Sequence, residues 1–120
     1  MSSKMFEKYL QLNSISPGHN YAQDLILNAS ISEEGIMGHY DSTPARFVVF
    51  YKLDKPGKAS TIRTDASFMA YHWYSGVPDY ILGSNSIERT TTNTPPTNAT
   101  YGGLTFAGSG IKPEYIYIEG

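Results

Sequence analysis

Residues 61–83 read TIRTDASFMAYHWYSGVPDYILG, and the run Phe68–Tyr74 within them decides the fold. The stretch holds the only tryptophan, three of the ten tyrosines and one of the three histidines. At period two, Met69, Tyr71 and Trp73 point one way, while Phe68, Ala70, His72 and Tyr74 point the other. Both faces are bulky, so neither is a solvated face. Such a strand is either central in a closed sheet or lines a binding surface.

Outward from this run the chain reads as strands separated by turns. On the N-terminal side, Arg46–Leu53 alternates Phe47, Val49, Tyr51 and Leu53 with Val48, Phe50 and Lys52. Before it, Leu25, Leu27, Ala29 and Ile31 face one way, against a mostly polar Ile26, Asn28, Ser30 and Ser32. Glu33-Glu34-Gly35 is a tight turn, and Ile36–Tyr40 returns as its hairpin partner. Asp54-Lys55-Pro56-Gly57 is a second turn, with proline presetting φ and glycine taking the permissive position. Thr61–Thr64 runs on into Ser67–Tyr74 with a bulge near Asp65. Gly76-Val77-Pro78 turns the chain into a further strand over Tyr80–Ile87. Residues 90–100 form a polar loop in which Pro95-Pro96 forbids ladder bonds. Tyr101–Ala107 and Glu114–Ile118 are the last strands, joined through Gly108-Ser109-Gly110. Gly102-Gly103 reads as a strand bulge and not a phosphate cradle.

The pattern predicts one all-β domain over residues 1–120, an antiparallel barrel or sandwich of seven to eight short strands. Residues 1–15 form an N-terminal arm, and Met5, Phe6, Tyr9 and Leu10 give it the apolar stripe of a short amphipathic helix. That arm would pack on the end of the domain or on a neighbouring subunit.

Composition narrows the function by exclusion. There is no cysteine, which removes disulfides, thiol catalysis and Cys-type metal sites and is neutral about compartment. Net charge is −2 with the basic residues scattered, so nucleic acid is not an expected partner. No run approaches the roughly 20 apolar residues that span a bilayer, and Glu7 and Lys8 stand where a secretory signal would be apolar.

Nothing predicts catalysis, a metal or a cofactor. Asp24, Asp41, Asp65 and Asp79 flank strands as turn-formers do, and Glu33-Glu34 sits in a hairpin turn. His19, His39 and His72 lie on separate segments without ligand spacing. No serine occupies a G-x-S-x-G elbow. The glycosylation-like tripeptides at Asn28 and Asn98 are of a kind that arises by chance in a chain rich in Asn, Ser and Thr. The aromatic set says more: Tyr71, Trp73, Tyr74, Tyr80, Tyr101, Tyr115 and Tyr117 can stack on sugar faces or small rings while their polar ends hydrogen-bond. About half of them would serve the core instead.

Residues 20–42, NYAQDLILNASISEEGIMGHYDS, resemble the opening hairpin of the avidin/streptavidin family, with Asn20, Gly38, Tyr40 and Ser42 at matching separations. The resemblance implies an up-and-down barrel, and a small-molecule pocket to which Asn20, Tyr40 and Ser42 contribute as biotin ureido ligands do. Residues 46–52 are similar to the family's fourth strand, with Tyr51 in place of a tryptophan, and residues 72–76 resemble its following Trp-Ser-Gly. Gly18 replaces the family's early tryptophan and Asp24 a ligand-binding serine, and no clear match to the late aspartate follows Gly108. Without the tryptophan box, tight biotin binding is not expected.

The resulting expectation is a non-enzymatic, homo-oligomeric protein that binds a glycan or small molecule through aromatic and hydroxyl side chains. Its candidate residues are Asn20, Tyr40, Ser42, Tyr51, Tyr71, Trp73 and Tyr74. The rival readings are a self-assembling coat, fibre or tail component and, less favoured, a toxin-like β protein whose aromatics meet a membrane.

Overall fold

The computed structural model describes residues 18–106 and 110–120, with the side chains of Phe68 and Met69 excepted. The arm over 1–15 and the turn at Gly108 fall outside this range. The described chain is all-β, with nine short antiparallel strands and no α-helix. The strands are β1 (Ile26–Leu27), β2 (Ala29–Ile31), β3 (Met37–His39), β4 (Phe47–Lys52), β5 (Thr61–Thr64), β6 (Phe68–Tyr74), β7 (Ser86–Thr90), β8 (Tyr101–Phe106) and β9 (Ile116–Glu119). A 3₁₀ turn, Tyr21–Asp24, precedes them.

A five-stranded sheet in the order β1-β4-β8-β6-β7 forms the middle layer. The β5–β9 pair covers one face of it and the β2–β3 hairpin the other. The sheets do not close, so the architecture is a sandwich; the barrel alternative, and the up-and-down barrel that the avidin resemblance implies, are not what forms. An up-and-down barrel needs sequence neighbours side by side, whereas β8 lies between β4 and β6.

Burial of the middle sheet on both faces explains its composition. Phe47, Val49 and Tyr51 on β4, Leu104 and Phe106 on β8, and Tyr71 and Trp73 on β6 pack towards Ile116 and Ile118 of β9. The alternate residues Val48, Phe50 and Tyr74 pack with Tyr80 against Ala29 and Ile31 of the hairpin. Fully covered strands lose the polar-out alternation of half-solvated ones and become continuous apolar runs. Ile116 and Ile118 face inward while Tyr115 and Tyr117 stack outside at 5.8 Å, as their alternation predicts.

Gly102 and Gly103 permit this packing. Both lie in regular register between β4 and β6, so they are not a bulge; the register shifts fall between Phe68 and Ala70 on β6 and, in the β6–β7 pairing, between Glu88 and Ser86 on β7. A Cβ on Gly102 would stand 2.7 Å from the Tyr51 ring, and one on Gly103 would stand 2.7 Å from Ile31 Cδ1. The ring of one neighbour and the side chain of a covering layer lie across β8 where its own side chains would be.

Three local expectations change. Leu25–Ser32 is not one strand: Asn28 adopts φ 54°, a left-handed conformation that asparagine tolerates. This kink sends β1 to the edge of the middle sheet and β2 to the hairpin, and it reverses the facing, leaving Leu27 exposed while Ile26 packs inward. Asp65 marks a corner and not a bulge. Its carboxylate accepts the Glu114 and Tyr115 amides at 3.1 and 3.3 Å, and β5 and β6 belong to different sheets. Tyr80–Asn85 is a turn and not the start of a strand, because Asp79 captures the Leu82 amide and the Ser84 hydroxyl and competes with extended pairing. The strand begins at Ser86.

Gly102→Ala is expected to lower stability by about 1–3 kcal/mol in urea unfolding, because the buried Tyr51 ring cannot move aside. Gly103→Ala costs less, since its closest approach is to the flexible tip of Ile31, with the Phe50 ring next at 3.1 Å. In a Gly102→Ala/Tyr51→Leu double variant the losses should sum to less than the two singles, and strict additivity would refute the contact.

Candidate functional site

The candidate residues separate into three groups. Tyr51, Trp73 and Tyr74 are fully buried, and Tyr71 is 5% exposed. Trp73 stacks on Tyr71, with centroids 5.6 Å apart, and donates its indole N–H to Thr90 Oγ1 at 2.9 Å. Tyr74 lies on the opposite face and donates to the Gly35 carbonyl at 2.8 Å. Burial raises the phenol pKa of Tyr51 and of Tyr74 well above the ordinary value of 10. The Tyr51 hydroxyl has no hydrogen-bond partner among the described residues.

Asn20 holds the fold together. Its side-chain oxygen accepts from Ala22 N at 3.0 Å and from Ile116 N at 2.9 Å, and its amide donates to the Glu114 carbonyl at 3.1 Å. It caps the 3₁₀ turn and ties that turn to β9, with both acceptor positions of its oxygen used.

Tyr40 and Ser42 remain near the surface, Tyr40 half-buried and Ser42 exposed. Tyr40 lines an open cleft of about 360 Å³ on the outer side of the β2–β3 hairpin. Ser30 pairs with Gly38 across the hairpin, and Tyr40 follows Gly38 on the same side. The space above Gly38 is empty: a Cβ there would meet nothing within 4 Å. Arg46 forms one wall, its guanidinium 4.0 Å above the Tyr40 ring and its Nη1 donating to Ser30 Oγ at 3.3 Å. Arg89 from β7 and His39 complete the lining. Arg46 and Arg89 escaped notice in the sequence because they are far apart in the chain. Alternation along Ile36–Tyr40 was the available signal, since it places Gly38 and Tyr40 on one side.

The hairpin is held in place at its turn. Gly35 has φ 80°, and a Cβ on it would strike Ser86 at 2.6 Å and His72 Nε2 at 2.9 Å. Beneath it, His72 Nε2 and Ser86 Oγ are 2.6 Å apart, and Arg89 donates to Glu33 at 2.9 Å. The His72–Ser86 pair has the spacing of a base and nucleophile, but His72 is 1% exposed, its Nδ1 has no partner among the described residues, and Gly35 covers it. It lacks the orienting third group and the access that nucleophilic catalysis requires. His19 pairs with Asp24 at 2.6 Å, and no group of three metal-ligating side chains forms among the described residues.

Two further open clefts lie elsewhere, one of about 370 Å³ beside Asn20, Lys112 and Glu114 and one of about 480 Å³ beside Glu33, Glu88 and Arg89. Val77, Ile81 and Leu82 are exposed on a loop that Asn85 fixes by donating to Val77 O and accepting from Asp79 N, but no polar group converges on them. Comparisons with protein-family models, with curated proteins and with solved structures find no match.

Burial lowers the His72 pKa from 6.5 to about 4, with the Arg89 guanidinium adding to the shift and Glu34 opposing it. The unfolded chain then takes up a proton near pH 6.5 that the fold accepts only near pH 4, so stability falls as pH drops through this window. The loss from this group reaches at most about 3 kcal/mol. An NMR titration should find the His72 ring neutral at pH 5 in the folded protein; a ring that titrates near 6.5 would contradict its burial.

Proposed function

We propose that the protein is a non-enzymatic binding module that recognises a glycan or small molecule in the cleft on the outer side of the β2–β3 hairpin. One observation carries this reading: Arg46 is stacked on Tyr40 and bonded to Ser30 beside the empty space over Gly38. An aromatic ring with a cation fixed on it, next to hydroxyls and an open floor, offers a ligand both stacking and directional hydrogen bonds. The buried turn beneath supports the reading, because it holds the hairpin before any ligand arrives and reduces the ordering cost of binding.

Within this proposal the site residues are Tyr40, Ser30 and Arg46, with Ser42 on the adjoining loop. Tyr51, Tyr71, Trp73 and Tyr74 support the sheet beneath. The chemistry asked of the site is recognition alone.

Gly38 supplies a test that spares the fold. Its backbone is not in the left-handed region and its side is open, so Gly38→Val fills the cleft without a clash and adds a β-favouring side chain. Ligands found by NMR on a glycan and small-molecule panel should shift the amides of Ser30, Gly38, Tyr40 and Arg46. Gly38→Val should weaken binding at least tenfold while the free energy of unfolding falls by no more than about 0.5 kcal/mol from the parent. Shifts confined to another surface, or undiminished binding by the variant, would refute the assignment.

A further inference from the structure

We infer that the group recognised in this cleft is an anion, so that the ligand is an acidic sugar carrying a carboxylate or sulfate; this rests on the binding reading given above. The charge distribution argues for it. The chain as a whole is acidic, with eleven Asp and Glu against nine Lys and Arg. The cleft departs from that balance, because two of the three arginines in the sequence line it and no carboxylate does, Glu33 standing at the rim against one of them.

The two arginines are held in different ways. Arg46 is positioned by Tyr40 and Ser30, and no Asp or Glu lies within ion-pair distance of it among the described residues. A guanidinium anchored through one nitrogen and a ring face keeps other N–H donors for a planar or tetrahedral anion. Arg89 is occupied by Glu33, whose side chain is 77% exposed. Exposed pairs of this kind contribute little, typically less than about 1 kcal/mol, so an incoming anion can take the place of Glu33. Glu33 is therefore a built-in competitor at the rim. The Ser30 hydroxyl, which accepts from Arg46, keeps its own hydrogen to donate to the sugar that carries the charge.

The test uses matched pairs on the full chain, read by calorimetry and by amide shifts: trigalacturonic acid against its methyl ester, and sialyllactose against lactose, with inorganic sulfate as the bare anion. The acidic member of a pair should bind at least tenfold tighter than its neutral counterpart, with affinity falling as salt rises. Arg46→Gln should abolish that preference. Glu33→Gln removes the competitor and should raise affinity for the acidic member two- to fivefold, a gain that a damaged fold cannot mimic. Equal binding of neutral and acidic members, lost together in Gly38→Val, would overturn the anion inference and leave the binding module standing. Sulfate alone competing as strongly as the sugars would overturn an acidic sugar as the ligand. Silence from every member would overturn both readings.

Discussion

The two-sided burial of the β4–β8–β6 core of the middle sheet is the constraint on which everything else depends. It requires that β8 give up side-chain volume at its centre, and Gly102 and Gly103 do so, one for the Tyr51 ring and one for Ile31 of the covering hairpin. Interiors pack at crystal-like density, so a methyl group at either position has to displace a neighbour. With the glycines in place, the large aromatic residues of β4 and β6 pack on both sides. Trp73, Tyr51 and Tyr74 are consumed in this way, which removes from the surface the side chains that would otherwise mark a binding site.

What remains for recognition is the outer side of the covering layer. The β2–β3 hairpin is too short to be ordered by its own ladder, because isolated hairpins are marginal in water. Its order comes from below and from its tip. Ala29, Ile31 and Met37 sit on the middle sheet, while Gly35 is seated over His72 and Ser86 and accepts the Tyr74 hydroxyl. A neutral His72 is part of that seat, and the same burial that keeps it neutral fixes the hairpin's outward residues. Tyr40, Ser30 and Arg46 thereby stand on a packed support, and in the proposed function the core aromatics serve by holding that support in position.

Much of this was legible in the sequence, and the parts that were not share a cause. The alternation of Phe47–Lys52 and of Phe68–Tyr74 identified strands with two bulky faces, and the Glu33-Glu34-Gly35 turn and the β9 alternation were read at their places. Period-two reading assumes a continuous extended chain, however. It failed where one residue left that conformation, at Asn28, and where a side chain replaced a ladder partner, at Asp65 and Asp79. The candidate site was partly legible for a related reason. Tyr40 could be picked out within a local motif, but Arg46 and Arg89 reach the cleft only through strand order, which the sequence pattern does not contain. The aromatic cluster suggested a pocket because tyrosine and tryptophan serve cores and binding surfaces alike, and only the two covering layers decide between those uses.

The central claim is that both faces of the middle sheet are covered, and the single tryptophan reports on it directly. Steady-state fluorescence of the native protein with acrylamide quenching should give blue-shifted emission with little quenching, because Trp73 has no exposed surface and its indole N–H is held by Thr90. Emission at the wavelength of a water-exposed indole, readily quenched by acrylamide, would place Trp73 on an open surface and contradict the account.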